Sequence, residues 1–64
     1  MMLNYGEMHD VVEVGRDSAG IIHLIAIKNE LKYNWDLDDA QVNQVLDDMY
    51  EHCLLPCKVM HLNK

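Results

Sequence analysis

The chain contains no phenylalanine and only one tryptophan, so any core must be filled by aliphatic side chains and by its five methionines. One proline and three glycines over 64 residues leave no proline-rich, serine-rich or repetitive segment, and half the residues are apolar, which excludes a disordered linker. Cations are also scarce. Five basic against eleven acidic side chains give a formal charge of -6, which repels nucleic-acid phosphates and anionic membranes over a Debye length of about 8 Å. Arg16, Lys28, Lys32, Lys58 and Lys64 are scattered, with no aromatic platform between them, so neither nucleic acid nor membrane is expected as a partner. The longest apolar run, Ile21 to Ile27, is interrupted by His23 and falls far short of the ~20 residues that a membrane span requires. The first ten residues lack the basic start and apolar middle of a secretion signal, so a cytoplasmic location is the expectation, with Cys53 and Cys57 as reduced thiols.

What is present is most legible between Asp36 and Cys53, reading DLDDAQVNQVLDDMYEHC. At ~100° per residue, Val42, Val45, Leu46, Met49, Tyr50 and Cys53 fall in one stripe, while Gln44, Asp47, Asp48 and Glu51 point away. The pattern predicts a core-facing helix with an acidic back, capped by Asp36, favoured at its start by Asp38 and Asp39, and stopped by Pro56. Trp35, just ahead of the cap, is placed to pack on the first turn.

The segments before the helix suggest strands. Met8 to Val14, MHDVVEV, is rich in valine, and Gly15 to Gly20, GRDSAG, suits a type I turn with Asp17 first and Gly20 last. Ile21 to Ile27, IIHLIAI, is mostly β-branched and bounded by turn residues, which favours a strand apolar on both faces. The competing reading is a helix from Ala19 to Tyr33 capped by Ser18, which aligns Ile21, Leu24, Ile27, Leu31 and Trp35 but leaves Ile22, Ile25 and Tyr33 off the stripe. After the helix, Lys58 to Leu62 could return as a last strand. Residues 1–64 then form a single small α+β domain: a small antiparallel sheet, hairpin or meander plus a C-terminal strand, with one amphipathic helix packed on one face. A helix on one side leaves the other sheet face, through Ile21, Ile25 and Ile27, open to a partner or to a second copy as a homodimer.

Chemistry-bearing motifs are sparse. Cys53, Cys57 and His61 are spaced four and four apart, with His9, His23 and His52 as further imidazoles, and thiolate with imidazole is the ligand set of structural zinc. The second cysteine pair usual in such sites is missing, so no metal or other cofactor is favoured. Asp36, Asp38 and Asp39 open like a calcium loop, but Gln41 stands where a glycine is required. No nucleophile elbow or phosphate loop occurs, and 64 residues leave little room for a ligand pocket, so an enzyme is not expected. The composition points to a small acidic, non-enzymatic protein–protein interaction module, an inhibitor or regulator that covers a basic or apolar surface of a protein partner, through Gln44, Asp47, Asp48 and Glu51 or through the apolar sheet face. The alternatives are a structural homo-oligomer with no other partner and a small zinc-binding regulatory domain.

Overall fold

The computed structural model describes residues 3–55, which form three helices: α1 (Tyr5–Val14), α2 (Leu24–Tyr33) and α3 (Asp39–Glu51). The expected α+β fold, a small antiparallel sheet with one amphipathic helix on one face, is therefore corrected to an all-helical fold. Among the described residues the one trace of β pairing is an isolated antiparallel bridge between Arg16 and Ile22. The anticipated strand over 58 to 62 lies outside the described residues, as do Pro56, Cys57 and His61.

α1 forms where a valine-rich strand was expected because its start is closed on both sides. Asn4 Oδ1 accepts from the Glu7 amide at 2.8 Å, and Glu7 Oε1 accepts from the Asn4 amide at 2.9 Å. This capping box satisfies two backbone donors that a helix start leaves open. Beyond it Met8, Val11 and Val12 sit three and four apart, and all three are buried. Strand preference of valine depends on context and spans only ~1 kcal/mol, so a capped helix with a complete apolar stripe overrides it.

The turn at Asp17 to Gly20 is present as expected, with the Gly20 amide donating to the Asp17 carbonyl at 3.0 Å and Gly20 in the left-handed region at φ 86°. It joins two helices, however, and not two strands. The chain re-enters a helix at His23, later than the Ser18 start of the alternative reading, and α2 turns Ile27 and Leu31 fully inward while Leu24 packs partly against them. Residues 21 to 27 are thus loop followed by helix. The homodimer argument built on an open sheet face falls with the sheet.

α3 matches the expected amphipathic helix, with corrected ends. Its cap is Asp38, not Asp36: Asp38 Oδ1 accepts from the Gln41 amide at 2.8 Å and Gln41 Oε1 accepts from the Asp38 amide at 3.0 Å. Asp36 instead lies in the preceding loop at φ 58°. Val42, Val45, Leu46 and Met49 are fully buried, as the stripe requires, whereas Tyr50 and Cys53 at its end are exposed. Trp35 and Leu37 pack partly against the core, and Leu37 holds the position before the cap that faces the helix's first turn.

α3 stops before any proline. The Leu54 amide donates to the Met49 carbonyl at 2.8 Å, and the Cys53 amide to that of Tyr50 at 3.0 Å. This is a Schellman closure, with Leu54 and Met49 as its apolar pair. Its left-handed position is held by Cys53 at φ 62°, where glycine would carry no steric penalty. Cys53→Gly is expected to stabilise the fold by about 1 kcal/mol, a rise in Tm of roughly 4–8 °C by thermal circular dichroism. An unchanged Tm would mean that this residue carries no strain.

The three helices share one core, to which Leu3 and Leu55 contribute from outside the helices. α2 is the central element, packing on α1 and on α3. Lys32 Nζ lies 2.9 Å from Asp39 Oδ1, tying the C-terminal end of α2 to the N-terminal end of α3, where each charge also suits the local helix dipole. The aspartate raises the Lys32 pKa through its hydrogen bond and charge.

Candidate functional site

Three surfaces bear on function: the back of α3, the turn between α1 and α2, and the outward side of α2. On α3, Gln44 and Glu51 stand in solvent, while Asp47 and Asp48 are half-buried. Gln44 Nε2 donates to Asp48 Oδ1 at 3.2 Å, and the other oxygen of Asp48 is buried without a hydrogen-bond partner among the described residues. The acidic back therefore exists as expected, but its aspartates are set into the surface, and Glu51 is its most accessible carboxylate. At the far end of α3, Tyr50, Glu51, Cys53 and Leu55 line an open depression of about 430 Å³, and His52 meets Tyr5 edge to face with ring centroids 5.9 Å apart.

The turn is a compact polar knot. Asp17 Oδ1 accepts from the amides of Ala19 and Ile21 at 2.9 and 3.0 Å, and its Oδ2 lies 2.8 Å from His23 Nε2. Arg16 grips Glu13 through Nε and Nη2, both at 3.0 Å to Oε2, and donates from Nη1 to the Gly20 carbonyl at 3.2 Å. Asp17 is thus the hub that orders the loop, and its side chain replaces backbone partners that a nine-residue connection would leave open.

The His23 hydrogen bond, followed by that from Ile21, holds the Asp17 carboxyl below its ordinary pKa. A group with a depressed folded pKa contributes stability that is present above its unfolded value and is lost as pH falls through the folded one, here below about pH 4. Asp17→Asn keeps an amide-accepting oxygen but removes the charge. We expect the Tm gap between wild type and Asp17→Asn to be constant near neutrality and to close below about pH 4. A gap that persists unchanged at pH about 3 would contradict the ionic role of Asp17.

His9 and His23 do not face one another on paired strands. His9 lies mid-helix on the exposed side of α1 with Nδ1 4.0 Å from Asp10 Oδ1, and His23 is the entry residue of α2. The candidate zinc set is not assembled among the described residues: Cys53 is exposed, and Cys57 and His61 lie outside them. No group of three potential metal ligands comes together in residues 3–55.

The three isoleucines assigned to a sheet face are separated. Ile27 is fully buried in the core, while Ile21 and Ile25 are 59% and 75% exposed. The helix produces a different surface that sequence reasoning missed. Ile25, Asn29 and Tyr33, four residues apart, line the side of α2 opposite Ile27 and Leu31, and all three are exposed. The available signal was the one held against the helical alternative, that Ile25 and Tyr33 fall off its apolar stripe.

No helix among the described residues is long and apolar enough to cross a membrane. Comparison with known proteins yields no match to a family model, a curated protein or a solved structure.

Proposed function

We propose that this chain is a non-catalytic protein-interaction module that covers a basic surface of a protein partner, with the back of α3 (Gln44, Asp47, Asp48 and Glu51) as the contact. One observation carries this reading: the eleven carboxylates all fall in residues 3–55 against three cations, and two of those cations are already committed. Arg16 pairs with Glu13 and Lys32 with Asp39, so the outward field is negative with little to offset it. Such a field accelerates encounter with a basic surface and rejects acidic ones, and its effect falls with ionic strength.

The test is capture of partners by the immobilised chain at low and high salt, beside a variant with Asp47→Asn, Asp48→Asn and Glu51→Gln whose helical content is checked by circular dichroism. The expected result is a basic partner held by the wild type at low salt, released at high salt and lost by the neutralised variant. A partner retained equally by both proteins at all salt concentrations would remove α3 as the contact.

A further inference from the structure

We infer that the outward stripe of α2, formed by Ile25, Asn29 and Tyr33, is a self-association surface on which two copies of the chain pair with their α2 helices parallel and in register. Ile25 and Tyr33 are 75% and 76% exposed, and neither supports the core. Apolar side chains two helical turns apart on one face, with a polar residue midway, make a short i±4 ridge that a second helix can pack against.

Charge selects the occupant. α1 carries Glu7, Asp10 and Glu13, and α3 carries Asp39, Asp47, Asp48 and Glu51, whereas α2 carries Lys28, Lys32 and Glu30. Two copies of so acidic a chain repel across any surface built from α1 or α3, and among the described residues α2 is the one helix that brings cations to a contact. Lys32 is already paired with Asp39, and a second copy brings Glu30 as an acid for Lys28.

The same residues set the orientation. With Ile25, Asn29 and Tyr33 facing the partner, ideal helical spacing puts Lys28 and Lys32 on one border of the stripe and Glu30 on the other. An antiparallel pair related by a two-fold perpendicular to the helices brings the lysine border of one copy against the lysine border of the other. A parallel pair, with the two-fold along the helices, sets Lys28 beside Glu30 of the second copy and keeps Lys32, already paired with Asp39, clear of a second lysine border. Asn29 meets its own counterpart in either orientation, and a side-chain amide both donates and accepts, so the Asn pair fixes the register while charge selects the parallel direction. The stripe is short of the ~800 Å² per partner of stable complexes, so the pairing is reversible and concentration-dependent.

Sedimentation equilibrium of the full chain under reducing conditions, up to near-millimolar concentration, is expected to show monomer and dimer. Ile25→Glu, at a site too exposed to affect folding, is expected to weaken dimerisation about tenfold or more with unchanged circular dichroism. For orientation, Ile25→Cys in a Cys53→Ser, Cys57→Ser background is expected to crosslink to its own copy on mild oxidation, because parallel pairing juxtaposes the two positions. Antiparallel pairing opposes position 25 to position 33 and separates the two thiols by ~12 Å along the axis, beyond disulfide reach. The inference is overturned by a monomer throughout the concentration range, by a dimer insensitive to Ile25→Glu, or by failure to crosslink at position 25. A monomeric chain that loses a captured protein on Ile25→Glu also overturns it, and gives the face to a different partner. Ile25→Glu leaves the carboxylates of α3 in place, so these outcomes are independent of the acidic contact proposed above.

Discussion

Leu31→Ala is expected to destabilise the protein by about 2–5 kcal/mol, the range for truncating a buried leucine. Leu31 is fully buried on α2, the helix that packs on both of the others, so its side chain is shared by the whole core. The core is small. Nine fully buried side chains, Met8, Val11 and Val12 from α1, Ile27 and Leu31 from α2, and Val42, Val45, Leu46 and Met49 from α3, are its centre. A domain of 64 residues has roughly 3–10 kcal/mol of total stability at ~0.05–0.15 kcal/mol per residue, so this one change removes a large share of it. Urea denaturation should show a midpoint lowered by more than 1 M or no folded baseline at all, given an m-value of ~1 kcal/mol/M. Ile25→Ala on the same helix is the control, and a similar loss there would contradict the assignment of faces.

Gly15→Ala is expected to cost about 1–3 kcal/mol by overpacking. Gly15 is buried where α1 ends against α2, and a Cβ placed there would lie 2.7 Å from Ile27 Cγ1 and 3.1 Å from the His23 carbonyl oxygen. The His23 amide donates to the Gly15 carbonyl at 2.8 Å, so the two backbones cannot simply separate. The φ of Gly15 is -84°, a value open to any residue, so its requirement is close approach and not backbone freedom. Ile27→Ala removes the nearest clashing atom. The double variant should therefore be less destabilised than the sum of the singles by about 0.5–3 kcal/mol, as contacting sites couple. Strict additivity in a thermal or urea denaturation series would show that the two residues do not touch.

α3 was readable in the sequence because its apolar period, its acidic first turn and its length all agree, and only its ends were misplaced. The cap shifted by two residues because Asp36 and Asp38 are chemically equivalent candidates; the choice turns on Gln41, which completes a capping box with Asp38. α1 departs from its valine content because position outweighs it. Asn4 and Glu7 already spell a capping box, and Met8, Val11 and Val12 follow at helical spacing. α2 is ambiguous for a different reason: with Ile21, Ile22, Leu24, Ile25 and Ile27 all apolar, a short run matches both periods, and only tertiary context separates Ile27 inside from Ile25 outside. The Asp17 to Gly20 turn was recognised correctly, since its chemistry is local, but a turn of this type does not say what it joins. The acidic back of α3 is legible from its helical period, whereas the α2 stripe exists as a face separate from Ile27 and Leu31 only at helical spacing.

Backbone chemical shifts test the all-helical fold most directly. Positive Cα secondary shifts over residues 5–14, 24–33 and 39–51, with residues 15–23 free of any continuous run of either sign, are the expected result. Negative shifts through residues 8–14 and 21–27, with cross-strand contacts between those two segments, would restore the hairpin and abolish both the shared three-helix core and the outward stripe of α2.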